Sequence, residues 1–263
     1  MSNILKTAAI QLDISWSSKE ENMHKVFDAL SSLQSDIDIA VLPEMFTTGF
    51  ICVPDDARRL AEPMNGMTLN TLRQWSQKFG MALCGSFIAL EDDRVYNRAF
   101  FIDPSGDEYY YDKHHLFSIS GEDDAYSPGT EVMPIFNFKG WNISMAVCFD
   151  LRFPAWLRNN NVTPYDLLII MSNWPDSRVY AWKHLLIARA IENQAYVLGC
   201  NRSGTDNYGV YSGASMIIDP KGRPIQQAVD DNLCTGELSR SDLEIFRKKF
   251  PVLNETDRFR FSI

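Results

Sequence analysis

The sequence predicts a mixed α and β fold in which two sheets pack together with helices on the outside. Three observations predict it. Apolar runs of strand length recur about a dozen times, several follow one another directly across tight-turn residues, and four or five amphipathic segments carry helical spacing. Direct strand-to-strand connections disfavour a purely βαβ architecture such as a Rossmann fold or a barrel. No linker, repeat or shift in composition divides the 263 residues, so 1–263 reads as one domain, and a hydrophobic content of 45% suffices for a full core.

Leu5 to Ile14 alternates as a strand does, and Ser17-Ser18-Lys19-Glu20-Glu21 opens a helix to about Leu33, with a serine cap and early acids. Ile37 to Leu42 is a short buried strand closed by Pro43, delivering Glu44 at its carboxyl end. A helix from Thr68 to about Phe79 carries Leu69, Leu72, Trp75 and Phe79 at helical spacing. Met81 to Leu90, Val95 to Ile102 and Glu108 to Tyr111 read as successive antiparallel strands, the third running into Asp112-Lys113-His114-His115. Gly121 to Gly129 is a polar, acidic loop containing Glu122. Met133 to Phe138 and Trp141 to Val147 pair as a hairpin that leads into Cys148, and Pro154 is placed as the first residue of a helix through Ala155, Trp156 and Leu157. Asp166 to Met171 is a strand broken by Asn173-Trp174-Pro175, and Ser177 to Asn193 is the clearest amphipathic helix. Strands at Ala195 to Asn201, Ala214 to Asp219, Pro224 to Ala228 and Cys234 to Leu238 precede a helix from Ser241 to Lys249. Val252 to Ile263 shows no evident element.

Composition narrows the function. Twenty-five basic residues against 34 acidic give a formal charge of -9, with no Lys/Arg-rich run, so a nucleic-acid footprint is missing. Met1-Ser2-Asn3-Ile4-Leu5-Lys6 lacks the character of a signal peptide, and the longest apolar-rich run, Met81 to Leu90, is about half a membrane span. Five widely spaced cysteines without a C-x-x-C pair argue against a disulfide framework and a zinc site and fit a reducing, cytoplasmic compartment. Adjacent His114 and His115 on an extended segment would face opposite ways, with no ligand partner at metal spacing. Neither a Gly-x-Ser-x-Gly elbow nor a phosphate-binding glycine loop is present.

Glu44, Lys113 and Cys148 each fall just after a predicted strand. If those strands are neighbours and share direction, the three side chains share one rim. The chemistry wants this trio: cysteine is a strong nucleophile but mostly thiol at neutral pH, a carboxylate can take its proton, and an ammonium steadies a developing oxyanion. Taken singly, each has a plain reading, as an inert buried thiol, a surface acid and a solvated charge.

Leu42-Pro43-Glu44-Met45-Phe46, Tyr111-Asp112-Lys113-His114-His115-Leu116-Phe117 and Val147-Cys148-Phe149-Asp150-Leu151-Arg152-Phe153-Pro154 resemble, in that order and spacing, the nitrilase superfamily of carbon-nitrogen hydrolases. The likeness continues through Asn173-Trp174-Pro175, Arg189 to Tyr196 and Cys200-Asn201-Arg202. Cys-Phe-Asp-Leu-Arg-Phe-Pro with the later Asn-Trp-Pro is most similar to the omega-amidase branch, whose members hydrolyse the side-chain amide of 2-oxoglutaramate and 2-oxosuccinamate. The resemblance implies a four-layer α-β-β-α sandwich and a homodimer or higher homo-oligomer. It also implies Glu44 as general base, Lys113 as oxyanion-stabilising cation, Cys148 as nucleophile and Glu122 as a second glutamate beside the site, with a solvated loop acid as the alternative for Glu122. No metal or organic cofactor is expected; the partners are a small amide and water, with no nucleic acid and no membrane.

The backbone N–H of Phe149 is expected to hold the oxyanion together with Lys113. Trp174, Phe117 and Tyr126 are candidates for the pocket wall, with ordinary packing the alternative. A free substrate carboxylate calls for a further cation, for which Arg152, Arg178 and Arg202 are candidates, Arg152 alternatively holding Asp150 or a subunit contact. The tail from about 250 to 263 is a candidate for a subunit interface. Two other functions use the same residues: hydrolysis of N-carbamoyl compounds or deaminated glutathione, and a catalytically silent scaffold or thiol sensor.

Overall fold

The computed structural model describes residues 3–228, 232–255, 257 and 259–261. β1 (Ile4–Ile10), β2 (Ile39–Val41), β3 (Ala82–Glu91), β4 (Arg94–Ile102) and β5 (Glu108–Asp112) form one sheet with the last strand, β14 (Leu233–Ser239), in the spatial order β14-β1-β2-β3-β4-β5. β6 (Ile135–Phe138), β7 (Trp141–Val147), β8 (Leu167–Ser172), β9 (Tyr196–Asn201), β12 (Met216–Ile218) and β13 (Pro224–Gln227) form the other, ordered β13-β12-β9-β8-β7-β6. Between β9 and β12 the chain makes a separate hairpin, β10 (Ser203–Asp206) and β11 (Gly209–Ser212).

Each sheet is parallel at its centre and antiparallel at its flanks. β1, β2 and β3 run parallel, as do β7, β8 and β9. Strands buried on both faces read as continuous apolar runs, which is why Ile39-Ala40-Val41 and Leu167-Leu168-Ile169-Ile170-Met171 lack alternation. The sheets meet face to face: the Cys200 thiol of β9 donates across to the carbonyls of Ile10 (3.4 Å) and Val41 (3.2 Å) in the other sheet.

α1 (Lys19–Ser32) and α3 (Met67–Phe79) cover the outer face of the first sheet, with Val26, Leu30, Leu69 and Leu72 against Ala8, Leu83 and Phe100. α5 (Val179–Asn193) and α6 (Arg240–Lys249) cover the second, through Trp182, Leu186, Ala190 and Leu243. The result is the expected α-β-β-α sandwich. α5 lies directly on the sheet backbone, since a Cβ at Gly199 would come within 2.4 Å of Leu186 Cδ1.

Several local expectations need correction. Pro154 to Leu157 forms turns rather than a helix; the chain instead enters a 3₁₀ turn at Cys148–Arg152, leaving Pro154 after the tight segment rather than at a helix start. Ser18 occupies the N-cap of α1 but its side chain makes no capping bond; the turn is tied instead by Asn22, whose Oδ1 accepts from the Ser15 N–H at 2.8 Å. A short helix, α2 (Pro54–Leu60), was not anticipated, and the acidic loop at 121–129 holds one turn of helix, α4 (Glu122–Ala125). The 250–263 segment lies partly outside the described residues; its described part begins with a 3₁₀ turn at Val252–Glu255. Among the described residues, no helix is long and apolar enough to cross a membrane.

Candidate active site

The predicted trio does converge, though not along one sheet. Glu44 follows β2 and Lys113 follows β5, strands of the first sheet with β3 and β4 between them. Cys148 follows β7 in the second. β5 regains the direction of β2 because two antiparallel steps intervene, so both carboxyl ends face the same rim. The shared rim therefore spans both sheets.

Lys113, 1% exposed, stands between two buried carboxylates. Its Nζ lies 3.1 Å from Glu44 Oε1 and 2.8 Å from each carboxylate oxygen of Glu122. Glu122 also accepts the Phe117 backbone N–H at 2.6 Å, so α4 belongs to the site and is no solvated loop. Glu44 Oε2 accepts the backbone N–H of Asn173 at 2.8 Å, and the Asn173 side-chain amide returns to the Glu44 carbonyl at 2.7 Å, joining the ends of β2 and β8. Ser172 donates its hydroxyl to Cys148 Sγ at 3.1 Å.

Burial is the largest influence on Cys148; with the nearby Glu44 it outweighs Lys113 and Ser172 and pushes the thiol well up from its usual value. The resting side chain is therefore a neutral thiol. Burial works against the Lys113 ammonium, yet Glu122 and then Glu44 hold it charged well above the usual lysine range. Burial also raises Glu122, with Glu44 adding to it and Lys113 opposing. One ammonium between two carboxylates leaves the cluster short of positive charge, so a preformed thiolate has no spare cation to stabilise it.

The turn that presents the thiol is strained and braced. Cys148 has φ of 46°, a left-handed conformation costing about 1–2 kcal/mol for a residue with a Cβ. Asp150, fully buried, ties this turn down by accepting from the Val147 N–H (3.1 Å), the Tyr111 hydroxyl (2.9 Å) and the His115 N–H (3.0 Å). His115 and His114 stack on Phe153 and Trp156, at 3.5 and 4.0 Å between ring centroids. Both rings thus face the same segment, contrary to the expectation of opposite faces, because Lys113 to His115 leave the strand and bend. Gly129 fits against this bend because a Cβ there would meet the Asp112 carbonyl at 2.1 Å.

A cavity of about 400 Å³ opens onto Lys113 and Cys148, walled by Phe117, Phe149, Asn173 and Trp174. Arg152 and Arg178 stand at its mouth, over the rings of Trp174 (4.9 Å) and Phe117 (5.3 Å). Arg152 does not hold Asp150, which is engaged instead by Val147, Tyr111 and both the backbone N–H and the ring Nδ1 of His115. Arg202 is removed as a substrate cation: it is fully buried and engages Asp206 at 2.6 Å and the carbonyl of Ile14. Tyr126 is likewise a packing residue, its hydroxyl donating to the Ile51 carbonyl at 2.6 Å.

Sequence comparison agrees with this geometry: residues 6–248 match carbon-nitrogen hydrolase, a span of nearly the whole chain. The chain belongs to the carbon-nitrogen hydrolase family. It is 40% identical over 258 residues to the omega-amidase YafV of Yersinia enterocolitica, covering 97% of this chain and 98% of that one. To the 2-oxoglutaramate amidase of Bacillus subtilis it is 32% identical, over 94% and 96% of the two chains. The crystal structure of XC1258 from Xanthomonas campestris, described as a carbon-nitrogen hydrolase superfamily protein with an arsenic adduct in the active site, superposes with a TM-score of 0.94 at 34% identity over 99% and 100% of the chains. This carbon-nitrogen hydrolase is thus an amidase of the nitrilase superfamily. Residues that local sequence pattern does not mark are Asn97 and Ser172, which bond to Glu44 and Cys148, and Asn173, Tyr208 and Tyr211 at the cavity wall. Asn97 lies inside a strand, where its neighbours carry no sign that the side chain points to a site.

Proposed function

We propose that this carbon-nitrogen hydrolase removes the terminal amide of small 2-oxo dicarboxylate monoamides, 2-oxoglutaramate and 2-oxosuccinamate, through a thioester on Cys148. The supporting observation is a neutral thiol on the wall of a cavity whose floor is a Lys113 ammonium between two carboxylates and whose mouth carries two arginines. The relatives named for omega-amidase and 2-oxoglutaramate amidase activity support the substrate class.

Glu44 accepts the thiol proton as Sγ bonds to the amide carbon, and the carbonyl electron pair moves onto oxygen. Lys113 and the Phe149 backbone N–H hold that oxyanion, one Lys113 proton bridging both Glu122 oxygens so that another is free to face the cavity. Collapse breaks the C–N bond, and ammonia leaves with the proton from Glu44. Water then gives a proton to Glu44 and attacks the thioester; the C–S bond breaks, the sulfur regains its proton and the dicarboxylate departs. Arg152 or Arg178 holds the free carboxylate, with Trp174 and Phe117 steadying the guanidinium groups. Glu122 keeps Lys113 in place. We read the assembly as a homodimer in the cytoplasm, the compartment that five unpaired cysteines suit.

The test is ammonia release from a panel of amides. 2-Oxoglutaramate should be turned over well above N-carbamoyl amines and deaminated glutathione, and hydroxylamine should trap a hydroxamate; Cys148→Ala should lose both, by about 10⁴-fold or more. An undiminished rate in Cys148→Ala rules out the nucleophile, and faster turnover of a carbamoyl amine rules out the branch.

A further inference from the structure

Asn97 sits in the middle of β4, 1% exposed, directly beneath both carboxylates. Its side-chain nitrogen donates one proton to Glu44 Oε1 at 2.8 Å and the other to Glu122 Oε1 at 3.2 Å. The reverse orientation would press the amide oxygen against two carboxylates, so charge fixes which end faces them. The amide oxygen is engaged as well: it accepts the Ser86 hydroxyl at 2.9 Å, and Ser86 Oγ in turn accepts the backbone N–H of Met45 at 2.9 Å. Met45 follows Glu44 and is held at φ of 44°. The bonds therefore close a ring, from the Glu44 carboxylate through Asn97 and Ser86 back to the backbone beside Glu44.

This ring divides the labour between the two Glu44 oxygens. Oε1 is occupied by Asn97 and Lys113, whereas Oε2 meets the Asn173 N–H and keeps lone-pair capacity on the side of β8, where Ser172 touches Cys148 Sγ. We propose that Asn97 is a positioning residue that holds Glu44 with Oε2 presented to the thiol and, through its two N–H groups, holds the two carboxylates side by side. The proposal rests on the reading of Cys148 as nucleophile and Glu44 as its base. Lys113 after β5, Glu122 on α4, Cys148 after β7, and Cys52 and Tyr126 nearby are the charged and titratable groups that face this cluster. Asn97 is the neutral bridge among them, adding donors without adding charge.

The experiment uses the full chain as wild type, Asn97→Ala, Asn97→Asp and Ser86→Ala. Two pH profiles are recorded: kcat/KM for 2-oxoglutaramate, and the rate at which iodoacetamide, a neutral reagent, alkylates Cys148. Losing donors to a carboxylate raises its pKa, so the acid limb of both profiles should move up by about one pH unit in Asn97→Ala, with kcat down about 100-fold and KM within about threefold. Asn97→Asp, which adds a third carboxyl group, should move the limb at least as far. Ser86→Ala leaves Asn97 present but frees its amide to turn, so its limb should move the same way by less; it carries the test alone should Asn97→Ala not fold. A fall in kcat or melting temperature with the acid limbs unmoved overturns the proposal, because a structural role alone would give that. Shifted alkylation limbs in a protein that hydrolyses no 2-oxo amide would uphold Asn97 while removing the substrate assignment.

Discussion

At Cys148 the balance of burial against one nearby ammonium is decided for the thiol, and this is open to direct titration. The difference in ultraviolet absorption between wild type and Cys148→Ala should show no thiolate even at the ordinary cysteine value of 9.0, whereas a preformed ion pair would show it near neutrality. Lys113 bears the opposite consequence. Its folded pKa lies well above 10.5, so the stability it contributes is present in full below that value and is lost only as pH climbs through the folded one. Lys113→Met should leave two buried carboxylates with no ammonium between them and cost about 3–5 kcal/mol near neutrality, read by urea unfolding. Glu122 already holds its proton more tightly than the 4.5 of a free glutamate, so the variant should regain stability toward acid pH, where the carboxylates take up protons.

At the level of elements, α5 shows how a helix is seated. Gly199 presents bare backbone to Leu186 and Trp182, and Gly199→Ala should force the helix outward, costing about 1–3 kcal/mol and visible as a lower melting temperature. This contact also explains what was legible beforehand. α5, α3 and the strands leading to Glu44, Lys113 and Cys148 carry strong periodicity or uninterrupted apolar runs, and those are read from neighbours in sequence. The β10–β11 hairpin is short, polar and tied through Asp206 to Arg202 and through the Ser212 N–H to Asp176, partners whose role no local pattern announces. Pro154 satisfied the rule for a helix start, yet Asp150 had already committed the chain to a tight 3₁₀ turn through bonds to Tyr111 and His115, more than 30 residues away. Local pattern leaves Asn97 and Asn173 unmarked for the same reason. Their importance comes from what crosses between strands, whereas Glu44, Lys113 and Cys148 stood out because each comes just after a strand.

The whole molecule repeats one plan. In each sheet three parallel strands are continued on one side by two antiparallel strands and closed on the other by one, so β1, β2 and β3 correspond in position to β7, β8 and β9. Glu44 and Asn173 follow the middle strands of the two plans and bond to each other, which places the site where the halves meet. On the outer side of α5, Tyr180 and Ile191 are 74% and 52% exposed, an apolar stripe suited to a second copy. Sedimentation should report a dimer that Tyr180→Glu with Ile191→Glu converts to monomers. Of the five cysteines, Cys52, Cys84, Cys200 and Cys234 are buried, and Cys148 is the most exposed, lining the cavity. An alkylating reagent in excess should therefore add first at Cys148, and the Cys148→Ala chain should take up one equivalent fewer. Counting the mass added per chain would then measure the fraction of molecules with a competent centre, without any need to know the substrate.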